Sequence, residues 1–337
     1  MLRIPNNLNN LPESIVLEIN SYLWNELKDI CKYFRMIIPR NIVITTANII
    51  HITQFKFTVN SIKIKDDIPV STLMIAFQHL FVNHKVKMLT KLSFGPQFNQ
   101  NLLGFNQFTY FPKLTHLVFG QYYKQKIDPN MLPTTITHLT FGKCYNETIE
   151  PNVLPPSLKV IVFGQMYNKI IKQNALPQNL EFLIFTSYFN QEFDVGVLPA
   201  SLKYIDLGNS YNTLIGPNVL PQNLKVMIFG LRYNKLIDHD VLPPNLEMLY
   251  FDYDYNKPIG PNVLPPNLRE INFGHNYNQH TLLDTLPKLR CVRFGEKFNK
   301  QIAVGSLPPS LKQIVFDSSY KQKIDGNAIP RGCTVYK

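Results

Sequence analysis

A unit of twenty-two residues recurs through most of this chain, and it constrains the fold more than any other feature. Leu154–Ala175 reads LPPSLKVIVFGQMYNKIIKQNA, LPQNLEFLIFTSYFNQEFDVGV follows from Leu176, and LPASLKYIDLGNSYNTLIGPNV from Leu198. The frame opens again at Leu132, Leu220, Leu242, Leu264, Leu286 and Leu307. Self-similarity at a fixed period of about 20–50 residues marks a stack of like coils, none of which buries a core alone. The expected fold is therefore a repeat solenoid, mainly β.

Each column of the repeat has a physical task. Leu158-x-x-Ile161-x-Phe163 carries the strand: period-2 geometry sends Ile161 and Phe163 inward and leaves Val160 and Val162 outward. Strands in register from successive coils then form a parallel sheet on one face. Four residues after the phenylalanine stands an aromatic such as Tyr145, Tyr167 or Tyr211, usually followed by an asparagine (Asn146, Asn168, Asn212). A stacked asparagine has both donors and an acceptor to satisfy loop backbone that lacks a strand partner.

A further column holds only Asn, Asp or Gly: Asn130, Asn152, Asn174, Gly196, Asn218, Asp240, Asn262, Asp284, Gly305 and Asn327. These types tolerate positive φ best, so a tight turn with a left-handed residue is expected in each coil. The glycine after the strand phenylalanine is replaced by Thr186, Asp252 and Asp317. A β-branched residue resists positive φ, so that glycine is expected to make room rather than to set a dihedral. Prolines such as Pro155, Pro177 and Pro199 remove a donor and exclude a helix there, and extended or polyproline-like backbone is expected as the opposite wall.

These columns closely resemble the FNIP repeat, aromatic-Asn-x-x-Ile-x-Pro-Asn-x-Leu-Pro, intact at 145–155, 211–221 and 255–265. The resemblance implies a leucine-rich-repeat-like, right-handed coil, in a family typical of slime moulds and giant amoeba-infecting viruses. About ten coils, the last truncated, would fill 91–337.

The first forty residues differ. Pro12 and Glu13 suit the first turn of a helix. Ile15, Val16, Ile19 and Leu23 then make one apolar stripe, and Leu27, Ile30, Phe34 and Ile37 a second. The stripes alone suit an amphipathic cap on the first coil. Leu11-Pro12-Glu13, Ile15, Ile19, Ser21-Tyr22-Leu23, Glu26-Leu27 and Ile30-Cys31 also resemble an F-box, with a shortened middle. That resemblance implies docking on the adaptor of a cullin-RING ubiquitin ligase through Leu11, Pro12, Ile15, Ile19 and Leu23, and the family is known to combine such a head with FNIP repeats. Segment 41–90 reads as a bridge or N-terminal cap. Ile42, Ile44, Phe55, Phe57, Val59, Ile62 and Ile64 alternate as in strands, and Ser71 is placed to cap a helix.

No Gly-rich phosphate loop, nucleophile–base pattern, paired acids or metal-ligand spacing stands out. The expected function is non-catalytic, with no cofactor and no metal; His116 and His138 stack one coil apart but fall short of the three or four ligands a site wants. Recognition is expected on the outward strand positions, where Val160, Val162, Phe182, Ile184, Tyr204, Val226, Ile228, Met248 and Tyr250 form an apolar and aromatic stripe. Exposed patches of that kind mark interaction sites.

The net charge of +11 offers an alternative, a basic nucleic-acid-binding scaffold. Basic residues recur at the strand's leading edge (Lys159, Lys203, Lys225, Arg269, Arg290, Lys312), but Glu181 and Glu247 interrupt them. A solvated edge explains that row as well. A third reading is a protein-binding scaffold without ligase attachment. Four scattered cysteines, Cys31, Cys144, Cys291 and Cys333, suit a reducing compartment. No apolar run reaches the ~18 residues of a membrane span. The expectation is an intracellular, cytoplasmic monomer that binds a ligase adaptor and a target protein, with neither nucleic acid nor membrane as partner.

Overall fold

A computed structural model of the chain describes residues 41–44, 61–64, 69, 72–73, 89–102 and 111–337. The head assigned to residues 1–40, with Leu11, Pro12, Ile15, Ile19 and Leu23, lies outside the described residues. So do Phe55, Phe57 and Val59.

The described residues form a parallel β-solenoid of about eleven turns with almost no helix among them. Among the described residues fourteen strands stand in chain order in one sheet, from β1 (Asn41–Ile44), β2 (Ser61–Ile64) and β3 (Lys91–Ser93) to β14 (Thr334–Tyr336). β1 and β2 thus belong to the same sheet as the repeats. Beyond Ser71, Thr72 and Leu73 are helical, and a 3-10 turn covers Gly326–Ala328.

Register repeats without slippage: Val160 pairs with Phe182, Ile161 with Leu183 and Val162 with Ile184, and Met248 with Glu270 in the same frame. One slip would turn every apolar residue outward, so the repeat itself fixes register. Ile161, Leu183, Ile205, Met227, Leu249 and Ile271 are wholly buried. Behind them run two aromatic columns. Phe163 stacks on Tyr167 at 3.9 Å between centroids and on Phe185 of the next coil at 5.2 Å. Where Leu207 interrupts the phenylalanine column, Phe193 fills in, 5.3 Å from Phe189 and 6.2 Å from Tyr211.

Each coil closes through three turns. In the first, the Tyr167 N–H donates to the Gly164 carbonyl. A Cβ at Gly164 would drive into the Gly142 carbonyl of the preceding coil, and Gly120, Gly142, Gly230 and Gly295 meet the same obstacle. The glycine does make room. Gly208 and Gly274 also take positive φ, so in those coils it sets the dihedral too.

In the second turn the Ala175 N–H donates to Lys172, and Asn174 holds φ at 61°. Asn130, Asn152, Asn218, Asp240, Asn262, Gly196 and Gly305 are likewise left-handed. A positive φ at the third position, with proline before it at Pro129, Pro151, Pro217 and Pro261, is the pattern of a type II turn. Asp284 and Asn327 depart from the expectation. At Asp284 the turn bond moves one residue on, from the Leu286 N–H to the Leu283 carbonyl, just before the unit that is one residue short, and Asn327 lies in the 3-10 turn.

The third turn corrects the role expected of the prolines. The Leu158 N–H donates to the Pro155 carbonyl, and the same bond recurs at Pro177, Pro199, Pro221, Pro243, Pro265 and Pro308. Proline therefore stands at the first position of a corner, and Pro156, Pro244, Pro266 and Pro309 follow at the second, where a fixed φ suits the turn. The stretch between the first and second turns, 167–172, carries no turn or helix.

Two polar ladders tie coil to coil. The N–H of Asn168 donates to Asn146 Oδ1, and Asn190, Asn212, Asn234, Asn256, Asn278 and Asn299 repeat the bond down the stack. The second ladder was not expected from sequence. Ser157 and Ser201 donate to carbonyls of the preceding coil, as do Asn179, Asn223, Asn245 and Asn267. Its signal was a column of Thr, Ser and Asn three residues after the frame's leucine, broken only in the short unit from Leu286.

Candidate functional site

The sheet face turned away from the core gathers the outward residues of successive strands at the ~4.8 Å spacing of paired strands. One row runs His116, His138, Val160, Phe182, Tyr204, Val226, Met248, Glu270, Cys291, Gln313. The other contains Val162, Ile184, Asp206, Ile228, Tyr250, Asn272 and Arg293.

Five of the nine expected target-binding residues, Val160, Val162, Phe182, Ile184 and Ile228, are half-buried and present a surface to solvent. The other four correct the picture of an open stripe: Tyr204 and Val226 are 5% exposed, Met248 3% and Tyr250 8%. In-register stacking sets large side chains against their own kind, so Phe182 packs on Tyr204 (5.9 Å between centroids) and the Tyr250 hydroxyl reaches Met248 Sδ at 4.0 Å. These four make a firm apolar floor beside the more accessible five.

Polar groups interrupt the face at three places. His116 and His138 stack at 4.1 Å between centroids, each Nδ1 hydrogen-bonded to the preceding threonine's hydroxyl. Burial is the main cause pushing both down to about 4, with His138 and Lys91 adding to it at His116, and Lys159 and Lys91 at His138. Among the described residues no set of three or more His, Cys, Asp or Glu is grouped to hold a metal. Asp206 is pushed up to about 7, chiefly by burial and also by the charge of Asp252, although the Gly208 N–H donates to it.

The third place is a cluster on β11 (Glu270–Asn272), β12 (Cys291–Arg293) and β13 (Gln313–Val315). Glu270 is buried beside Arg293, Oε1 to Nε 3.6 Å. Burial raises its carboxyl, while Tyr250 and Arg293 pull it back down. Burial pushes the Cys291 thiol up to about 11, which makes it a poor nucleophile at neutral pH. Sequence reasoning passed over this cluster; the signal was charge inside rows otherwise apolar.

The basic row at the leading edge of the strands is partly neutralised. Glu181 bridges Lys159 (3.4 Å) and Lys203 (2.6 Å), and Glu247 bridges Lys225 (3.4 Å) and Arg269 (3.3 Å). A shallow groove of about 510 Å³ runs beside it, between Ser157, Asn179 and Asn223 and the heads of Lys159, Lys203 and Lys225.

The geometry has known counterparts. Residues 111–144, 145–188, 167–210, 189–232, 211–254, 233–276, 255–297 and 298–335 match the FNIP Repeat. The crystal structure of CroV588, described as a novel circular LRR protein structure, is similar at 35% identity and a TM-score of 0.71 over 84% of this chain. The match takes in 42% of CroV588, so this chain spans less than half of that protein. A chain of the Toll–Spatzle complex from Drosophila matches at 12% identity and a TM-score of 0.55, covering 83% of this chain and 45% of its own, which shows the fold alone. No curated protein matches significantly.

Proposed function

Because this chain belongs to the FNIP repeat family, we propose that it is a non-catalytic protein-interaction scaffold whose strand face holds a partner protein. The observation that carries this reading is the division of labour within the repeat. Core, turn and ladder residues recur coil after coil, while the residues of the strand face change from coil to coil. Solenoids present such varied faces to partners. The half-buried Val160, Val162, Phe182, Ile184 and Ile228 on a floor of Tyr204, Val226, Met248 and Tyr250 supply apolar contact area.

The more specific form of the proposal is a substrate-recruiting subunit of a cullin-RING ubiquitin ligase, acting in the cytoplasm. Its support is the F-box-like run from Leu11 to Arg35, whose Leu11, Pro12, Ile15, Ile19 and Leu23 would meet the ligase adaptor, leaving the strand face for the target. The test is a pull-down of purified adaptor with the full chain. Binding is expected, with at least a ten-fold loss (about 1.4 kcal/mol) for Ile15→Asp/Leu23→Asp. No binding, or binding indifferent to those changes, overturns the ligase role and leaves the scaffold.

A nucleic-acid scaffold is the weaker reading. Glu181 and Glu247 place a carboxylate against four of the six basic side chains of the row, where a phosphate backbone would need free cations.

A further inference from the structure

The cluster at β11–β13 has a property that its burial alone does not require: the oxygens of its two amide side chains are used internally and their nitrogens are left over. Asn272 Oδ1 accepts from the Gly274 N–H at 3.1 Å, so its amide nitrogen remains to donate. Gln313 Oε1 accepts from the Cys291 thiol at 3.7 Å, which leaves its amide nitrogen in the same position. Arg293 turns Nε towards Glu270, and its side chain stays 29% exposed against 5% for Glu270. The buried carboxylate therefore holds the arginine in place, while part of the arginine side chain stays open to solvent.

These groups are neighbours by register. Asn272 pairs with Arg293, and Glu270, Cys291 and Gln313 follow one another in the adjoining row. Just before the same strands stand the exposed Arg269, Arg290 and Lys312, and only Arg269 is bridged to Glu247. The nearby Glu296 is engaged by Lys297 at 2.7 Å. On the other side the face continues as the apolar floor of Tyr250, Met248 and Val226.

We infer that Arg293, with Asn272 and Gln313, forms a carboxylate-binding site on the strand face, and that the partner is a protein segment carrying acidic side chains among apolar ones. A guanidinium presents a planar fork of donors that matches a carboxylate, and charge-assisted bonds of this kind are about twice as strong as neutral ones. The apolar floor selects the partner class. An acidic-apolar peptide buries side chains there while its carboxylate meets Arg293, whereas a nucleic acid, whose bases would have to turn from the phosphates, makes no use of it. This inference rests on the scaffold reading and sharpens it to a class of target.

Fluorescence anisotropy of the full chain with a labelled peptide alternating leucine and glutamate tests it. The peptide is expected to bind at least about ten-fold more tightly than its leucine-glutamine counterpart. Glu270→Gln/Arg293→Gln, which replaces the ion pair by two neutral amides, should abolish most of that preference. Arg232→Gln, which removes a cation from a turn off the strand face, should keep it. Arg293→Lys preserves the charge beside Glu270 but not the fork, and should lose several-fold; it decides the matter if the double variant does not fold. Equal binding of the two peptides, an undiminished preference in Arg293→Lys, or tighter binding of a single-stranded oligonucleotide of equal charge would overturn the inference. If only the strand-face variants Ile184→Glu and Ile228→Glu lose a partner, the scaffold stands and the carboxylate site falls.

Discussion

Asn218 shows what a single residue of the repeat is selected for. At φ 61° a Cβ-branched side chain crowds the following carbonyl, whereas asparagine tolerates the left-handed well and glycine enters it freely. Asn218→Val is expected to cost about 1–2 kcal/mol. Asn218→Gly should stay within about 1 kcal/mol of the parent. Urea midpoints at equal slope check both. This column could be read from sequence because three residue types share one backbone property. The exceptions, Asp284 and Asn327, could not be read so, because they depend on a turn shifted by one residue ahead of the short unit and on a 3-10 turn in the last coil.

Between coils, the close approach at Gly164 sets a sharper limit than any side-chain contact. A methyl there collides with backbone rather than with a movable side chain. Gly164→Ala should therefore destabilise by at least about 2 kcal/mol, measured by urea denaturation, as overpacking does when neither wall gives.

The histidine pair makes a second prediction at this scale. His116 and His138 sit near 4 in the fold against 6.5 unfolded, so between those values the unfolded chain binds more protons. Their neutral, stacked state adds stability that is complete above pH 6.5 and lost as pH falls through 4. Asp206, raised to about 7 from 3.8, acts the opposite way over the same range, so the clean observable is a difference. The melting temperature of the parent should fall relative to that of His116→Gln/His138→Gln as pH drops from 6.5 to 4. Inward and outward positions were legible from period-2 alternation. The depth of burial at Tyr204 or Met248 was not, because it depends on what the neighbouring coils stack against them.

For the whole molecule, the solenoid follows from one repeated frame, and that much the sequence carried in full. The diagonal meeting of Glu270 with Arg293 was hidden until strand register placed residues twenty-three apart side by side. The corner role of proline was hidden for a related reason, since a fixed φ suits both a straight wall and a turn. The central claim is that the recurring residues build the scaffold and the varied strand face recognises the partner. Quantitative affinity capture with the parent, with Ile184→Glu/Ile228→Glu on the strand face and with Ile170→Glu/Leu214→Glu on the exposed stretch between the first and second turns provides the test. A partner held by the parent is expected to be kept by Ile170→Glu/Leu214→Glu and lost by the strand-face variant at unchanged melting temperature. Retention by the strand-face variant, or loss only from Ile170→Glu/Leu214→Glu, would contradict it.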